Sequence, residues 1–152
     1  MIKSNELSAA LYFYKGITEY NLNNFDDAID NFKKSIVINP DNPSPYYNLG
    51  IVYDKKGGLE TAITYYKKAI AISPEYAKAY FYLGHVYAEK GDLNMENYYL
   101  EKAYQLDPSL RNKWFIVLLP SPPTIISTYS QQRLSPSLQR RQTSFLVGPD
   151  VE

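Results

Sequence analysis

The chain has 152 residues, with sixteen basic and sixteen acidic side chains, no cysteine and one histidine. Zero net charge gives no general pull toward nucleic acid or an anionic membrane. Without thiols there is no disulfide, thiolate nucleophile or thiolate metal site, and a lone histidine excludes a multi-histidine one.

Charge is uneven along the chain. Residues 1–110 hold eleven lysines, no arginine and fourteen acids, a net charge of −3, whereas residues 111–152 hold four arginines, one lysine and two acids, a net charge of +3. Two segments of different composition meet near residue 110.

The first residues, "MIKSNELSAALYFYKG", place an acid before a short apolar stretch and make a poor signal peptide. A helix with Tyr12, Phe13, Gly16 and Ile17 is expected next, then a turn at Asn23-Asn24 and a second helix through Ala28, Phe32 and Ser35 that stops before Pro40. The stretch "PYYNLGIVYDKKG", residues 45–57, opens a second pair. Its turn is Gly57-Gly58, and Leu59, Ala62, Ile63, Tyr66, Ala69 and Ile70 resume the helical spacing before Pro74. The same pattern returns as "AYFYLGHVYAEKG", residues 79–91, with a turn at Gly91-Asp92 and a helix ending before Pro108. Arg111–Leu119 starts a fourth unit around Trp114, but Leu118 stands where glycine belongs and Pro120 ends it. Residues 120–152, rich in Pro, Ser, Gln and Arg, are expected to be disordered, either a regulatory tail or a spliced or read-through end. The longest apolar run, Trp114 to Leu119, is too short to cross a bilayer. A cytoplasmic protein without cofactor is expected.

The period is 34 residues without a gap: Tyr12, Tyr46, Tyr80 and Trp114 share a column, as do Gly16, Gly50 and Gly84, and Phe32, Tyr66 and Leu100. A unit copied at this period cannot bury its apolar face alone and must stack on its neighbours. The glycines are expected to face Ala28 and Ala62 on the following helix, so that two backbones approach closely.

These columns of aromatic, Leu-Gly, Tyr, Ala, aromatic, Ala and Pro resemble the tetratricopeptide repeat, over residues 8–110 in three full units. The resemblance implies an all-α, right-handed superhelical array of antiparallel helix pairs. The first unit departs at Lys15 and Glu19, the third at Glu96, which replaces a close-packed alanine and is expected to reach solvent or shift the helix. Replacing Glu96 with alanine is accordingly expected to stabilise by about 1 kcal/mol or more.

The resemblance also implies a concave groove, lined by the first helix of each pair, that holds a partner peptide or helix. By register its residues are Phe13, Ile17, Tyr20 and Asn21, then Tyr47, Ile51, Asp54 and Lys55, then Lys78, Phe81, His85 and Glu89, with Ala10, Ser44 and Ala88 beside them. Phe13, Tyr47 and Phe81 are expected to act as apolar anchors. A solvated helix face is the plain alternative, but six large apolar side chains make a wider strip than monomers usually expose. Family members that grip the acidic tails of heat-shock chaperones use a clamp of cations and asparagines. The matching positions here are Phe13, Ile17, Asn48, Lys78 and Tyr82, of which only Asn48 and Lys78 have the expected type. A chaperone C-terminal tail is therefore not the expected partner.

Catalysis is not expected. Any serine triad would need His85, and Gly57-Gly58 is followed by "LETAI" with no lysine for a phosphate. Lys33-Lys34, Lys55-Lys56 and Lys67-Lys68 read as solvated faces rather than a nucleic-acid stripe. The expected function is a peptide-binding interaction module. The alternative is a repeat segment of a larger enzyme or assembly, used for docking or self-association.

Overall fold

The computed structural model describes residues 4–111. The expectations for the fourth unit and the tail, residues 111–119 and 120–152, fall outside the described residues apart from Arg111.

Six helices run in chain order: α1 (Ser4–Asn21), α2 (Phe25–Ile38), α3 (Pro43–Lys55), α4 (Leu59–Ile72), α5 (Ala77–Glu89) and α6 (Leu93–Leu106). They form three hairpins, α1–α2, α3–α4 and α5–α6, stacked in sequence, with α2 against α3 and α4 against α5. Among the described residues there is no strand. The six-helix, all-α expectation is met.

Local signals place the boundaries. Asn23, Gly57 and Gly91, spaced by the repeat, take φ of +61°, +77° and +79° and reverse the chain inside each hairpin. Glycine suits that conformation, and asparagine tolerates it. Pro43 opens α3, where its missing donor costs nothing, and the Asn42 side chain accepts from Ser44 N. Asp92 caps α6 by accepting from Met95 N. Pro40, Pro74 and Pro108 each stand two residues beyond a helix end.

The core is built from repeated columns. Ala28, Ala62, Phe32 and Tyr66 are fully buried, as are Leu49, Leu83 and Ala103. The glycine contact differs from expectation. A Cβ at Gly16 would lie 2.7 Å from the Phe32 ring, one at Gly50 2.5 Å from Tyr66 Cε1, and one at Gly84 2.9 Å from Leu100. The nearest atoms to the glycines thus belong to the large column of the second helix, and at Gly84 the backbone oxygen of Glu96, in the column of Ala28 and Ala62, follows at 3.3 Å.

The hairpins share further joints. Tyr53 stacks on Tyr65, and Tyr87 on Tyr99, each at 5.4 Å between ring centroids. In the first unit that column is Glu19, which accepts instead from Asn24 Nδ2 at 2.8 Å. Ser35 Oγ donates to Ala9 O at 2.9 Å inside the first hairpin, where the later units place Ala69 and Ala103. Between hairpins, Lys56 pairs with Asp26 and Lys90 with Glu60, one repeat apart. Both pairs are solvent-exposed enough to contribute about 1 kcal/mol or less each. Glu96 is half-buried in the first turn of α6, where a negative charge is favoured by the helix dipole, so the third hairpin accommodates it.

Candidate functional site

The first helices come closer to one another, α1 to α3 and α3 to α5, than the second helices do. The array is thus curved with α1, α3 and α5 on its inner side, and their shared face is the groove. Residues three, four and seven apart share a helix face, which is why Phe13, Ile17 and Tyr20, then Ile51 and Asp54, then Phe81 and His85, fall in line.

Phe13, Ile17 and Tyr20 are half-buried and rest on the cluster of Ala28, Ile29, Phe32, Leu49 and Val52. The Phe13 ring lies 5.9 Å from Phe32, and Tyr20 lies 5.9 Å from Phe25. Ile51 is half-buried against the second cluster. Phe81 meets His85 edge-on at 4.4 Å and Tyr104 at 6.3 Å. Asn21, Lys55, Lys78 and Glu89 are exposed.

Tyr47 is the exception. It is only 9 % exposed, its ring 5.2 Å from Tyr76, 5.7 Å from Tyr82 and 6.1 Å from Tyr66. The column 14/48/82 explains this. Tyr82 on α5 overlaps Tyr47, whereas the corresponding neighbour of Phe13 on α3 is the smaller Asn48. Tyr47 is therefore core, not an open anchor, and Tyr82, which the groove register passed over, takes a place at the surface beside it.

Electrostatics distinguish one end of the groove. Burial, together with the like charge of Glu89, holds the Asp54 carboxyl above its ordinary range, and Lys55 opposes this more weakly. Burial raises the Tyr20 hydroxyl, with Tyr82 and Asp54 adding to the effect. Burial pushes His85 below the ordinary imidazole value of 6.5, so it is neutral at neutral pH. Of the two clamp-type residues, Asn48 spends its Nδ2 on Ser44 O at 2.8 Å. Among the described residues no cluster of acids and His85 could hold a metal ion, and no helix is long and apolar enough to cross a membrane.

Sequence profiles for the TPR repeat match residues 16–57 and 55–91, and one for the tetratricopeptide repeat matches residues 77–110. The comparison with curated proteins gives no match. Among solved structures, the chain is 31 % identical to MamA over 70 % of this chain and 63 % of that one, with a TM-score of 0.64. It is 23 % identical to the first TPR of Spaghetti bound to the HSP90 peptide SRMEEVD, over 71 % and 90 %, with a TM-score of 0.68. It is 22 % identical to the N-terminal domain of stress-induced protein-1 from C. elegans, over 73 % and 94 %, with a TM-score of 0.66. The chain spans about 63 % of the length of MamA. Period, hairpin geometry and profile matches agree, and the chain belongs to the tetratricopeptide-repeat family.

Proposed function

We propose that the inner face of α1, α3 and α5 binds a peptide or helix of a partner protein, and that the chain is an interaction module rather than an enzyme. The observation that supports this most is the half-exposed row Phe13, Ile17, Tyr20, Ile51 and Phe81 on adjacent first helices. Rigid, partly open apolar side chains in a concavity lose little entropy when a partner covers them. The Spaghetti neighbour holds an HSP90 peptide, but its acidic SRMEEVD ligand calls for cations, and here Phe13, Ile17 and Tyr82 stand at clamp positions. Of the clamp positions, only Lys78 carries a cation. A different peptide class suits this groove, in a cytoplasmic adaptor.

The test is capture of partners from lysate by the full chain, by Ile17→Ala/Phe81→Ala, and by the outer-face control Lys102→Ala. The groove pair should lose partners that the control retains, with helix content unchanged by circular dichroism. Retention of every partner by the groove pair overturns the proposal. Tyr47→Ala is not used, because removing a buried ring costs about 3–5 kcal/mol and would confuse binding with folding. A second role, as one segment of a longer repeat protein used for docking or self-association, is favoured by the 63 % span of MamA. A mass that rises with concentration would support it.

A further inference from the structure

We infer that copies of this chain join head to tail, the end face of α1 in one copy stacking on the end face of α6 in the next as α3 stacks on α2. The inference gives a surface to the self-association named as the second role above, and it does not rest on the groove. In both internal joints a face of the first helix is buried against the second helix before it. Leu49 and Val52 share a cluster with Ala28 and Ile29, and Leu83 and Val86 share one with Ala62 and Ile63. One repeat earlier the first-helix columns hold Lys15 and Thr18, and one repeat later the second-helix columns hold Glu96 and Asn97. Lys15, Thr18 and Asn97 are exposed, and Glu96 is half-buried.

The departures at the two ends complement each other. Where the internal joints hold leucine in one cluster with alanine, one end carries a lysine and the other a glutamate, so the same stacking brings Lys15 of one copy to Glu96 of the next. Among the described residues neither forms an ion pair. The charged column changes on both sides as well. Lys56 pairs with Asp26 and Lys90 with Glu60 inside the array, whereas the ends hold Leu22 and Asn94 there, so the joint leaves no charge unpaired in that column. Thr18 Oγ1 donates to Tyr14 O at 3.0 Å within its own helix, so covering it strands no donor. Apolar surface lies open on both faces. Leu11 is 66 % exposed where Pro45 and Ala79 are buried, and Leu93 is 64 % exposed where Phe25 and Leu59 are half-buried. A polar cap is the bland account of a terminal repeat, and it fits Lys15, Thr18 and Asn97. It leaves the open leucines and the opposite charges unexplained. A further hairpin of the internal kind would set an apolar column against Lys15 or Glu96, and residues 111–119 offer Val117 in the column of Lys15. A second copy supplies the opposite charge to each. Such a contact leaves one face of each kind free, so it does not close at the dimer.

Sedimentation equilibrium of the full chain over a concentration series tests this. The weight-average mass should rise past that of a dimer. Lys15→Glu and Glu96→Lys should each weaken association by about tenfold or more, and an equimolar mixture of the two should regain it, because each variant supplies the charge that the other needs. Recovery in the mixture separates a joint between copies from a simple loss of folding. Ile17→Ala/Phe81→Ala should associate like wild type. A mass that rises but ignores both charge variants, stops at the dimer, stays low in the mixture or falls with the groove pair overturns this inference and leaves self-association through another surface. A mass that remains that of the monomer at every concentration overturns both.

Discussion

Gly50 and Gly57 are seven residues apart and would respond to alanine for unrelated reasons. At Gly50 a methyl would sit 2.5 Å from the fully buried Tyr66 ring, which has no room to retreat. Gly50→Ala is expected to cost about 1–3 kcal/mol through overpacking. At Gly57 nothing lies within 4 Å, so Gly57→Ala meets only the backbone strain of φ +77°, about 1–2 kcal/mol. Urea unfolding of the two variants measures this, and Gly57→Ser should match Gly57→Ala because the site is open. Asp54 gives a pH-dependent case. Its folded-state pKa is raised, so the charged form destabilises the fold above that pKa, and the penalty disappears below the unfolded value of about 3.8. Asp54→Asn should therefore raise the melting temperature at neutral pH, with the gain fading as pH falls into the acid range. That a small residue was needed at 16, 50 and 84 was legible in the sequence, but its neighbour was not. The column pattern cannot say which side of a hairpin leans on a glycine. Tyr47 was misplaced for a similar reason, since the same column is open beside Asn48 and closed beside Tyr82.

Elements were the most legible level. Every helix shows apolar spacing, α1, α3 and α5 run into a turn residue at 23, 57 or 91, α2, α4 and α6 stop before a proline, and all six appear where those signals fall. The exception in the consensus, Glu96, needs its element to be understood. Read as a buried carboxylate in place of alanine, it would destabilise strongly; placed half-buried in the first turn of α6, it gains from the helix N-terminus. Glu96→Ala exchanges that gain for a better helix former and should fall within about 0.5 kcal/mol of wild type in urea unfolding. A gain well above that would restore the earlier expectation of about 1 kcal/mol or more.

At the scale of the whole array, contacts run between sequence neighbours, each helix touching the one or two hairpins nearest to it. Stability in such a chain is close to a sum of unit and interface terms, so opening need not be uniform. Among the described residues, α3 and α4 have a hairpin on each side, whereas α1 has its partners on one side only. Native-state hydrogen exchange should therefore find α1 amides less protected than those of α3 and α4, and equal protection would mean the array opens as one unit. The recurring ion pairs have a consequence for how such a protein can change length. Lys56 with Asp26 and Lys90 with Glu60 make the two interfaces alike in chemistry and spacing. A duplicated Pro43–Tyr76 inserted in tandem would find an acid waiting before it and offer one after it. Growth by copying a whole unit then disturbs no existing joint, and the inner face lengthens by one helix at each event, so the length of that face can evolve by recombination before any single residue changes.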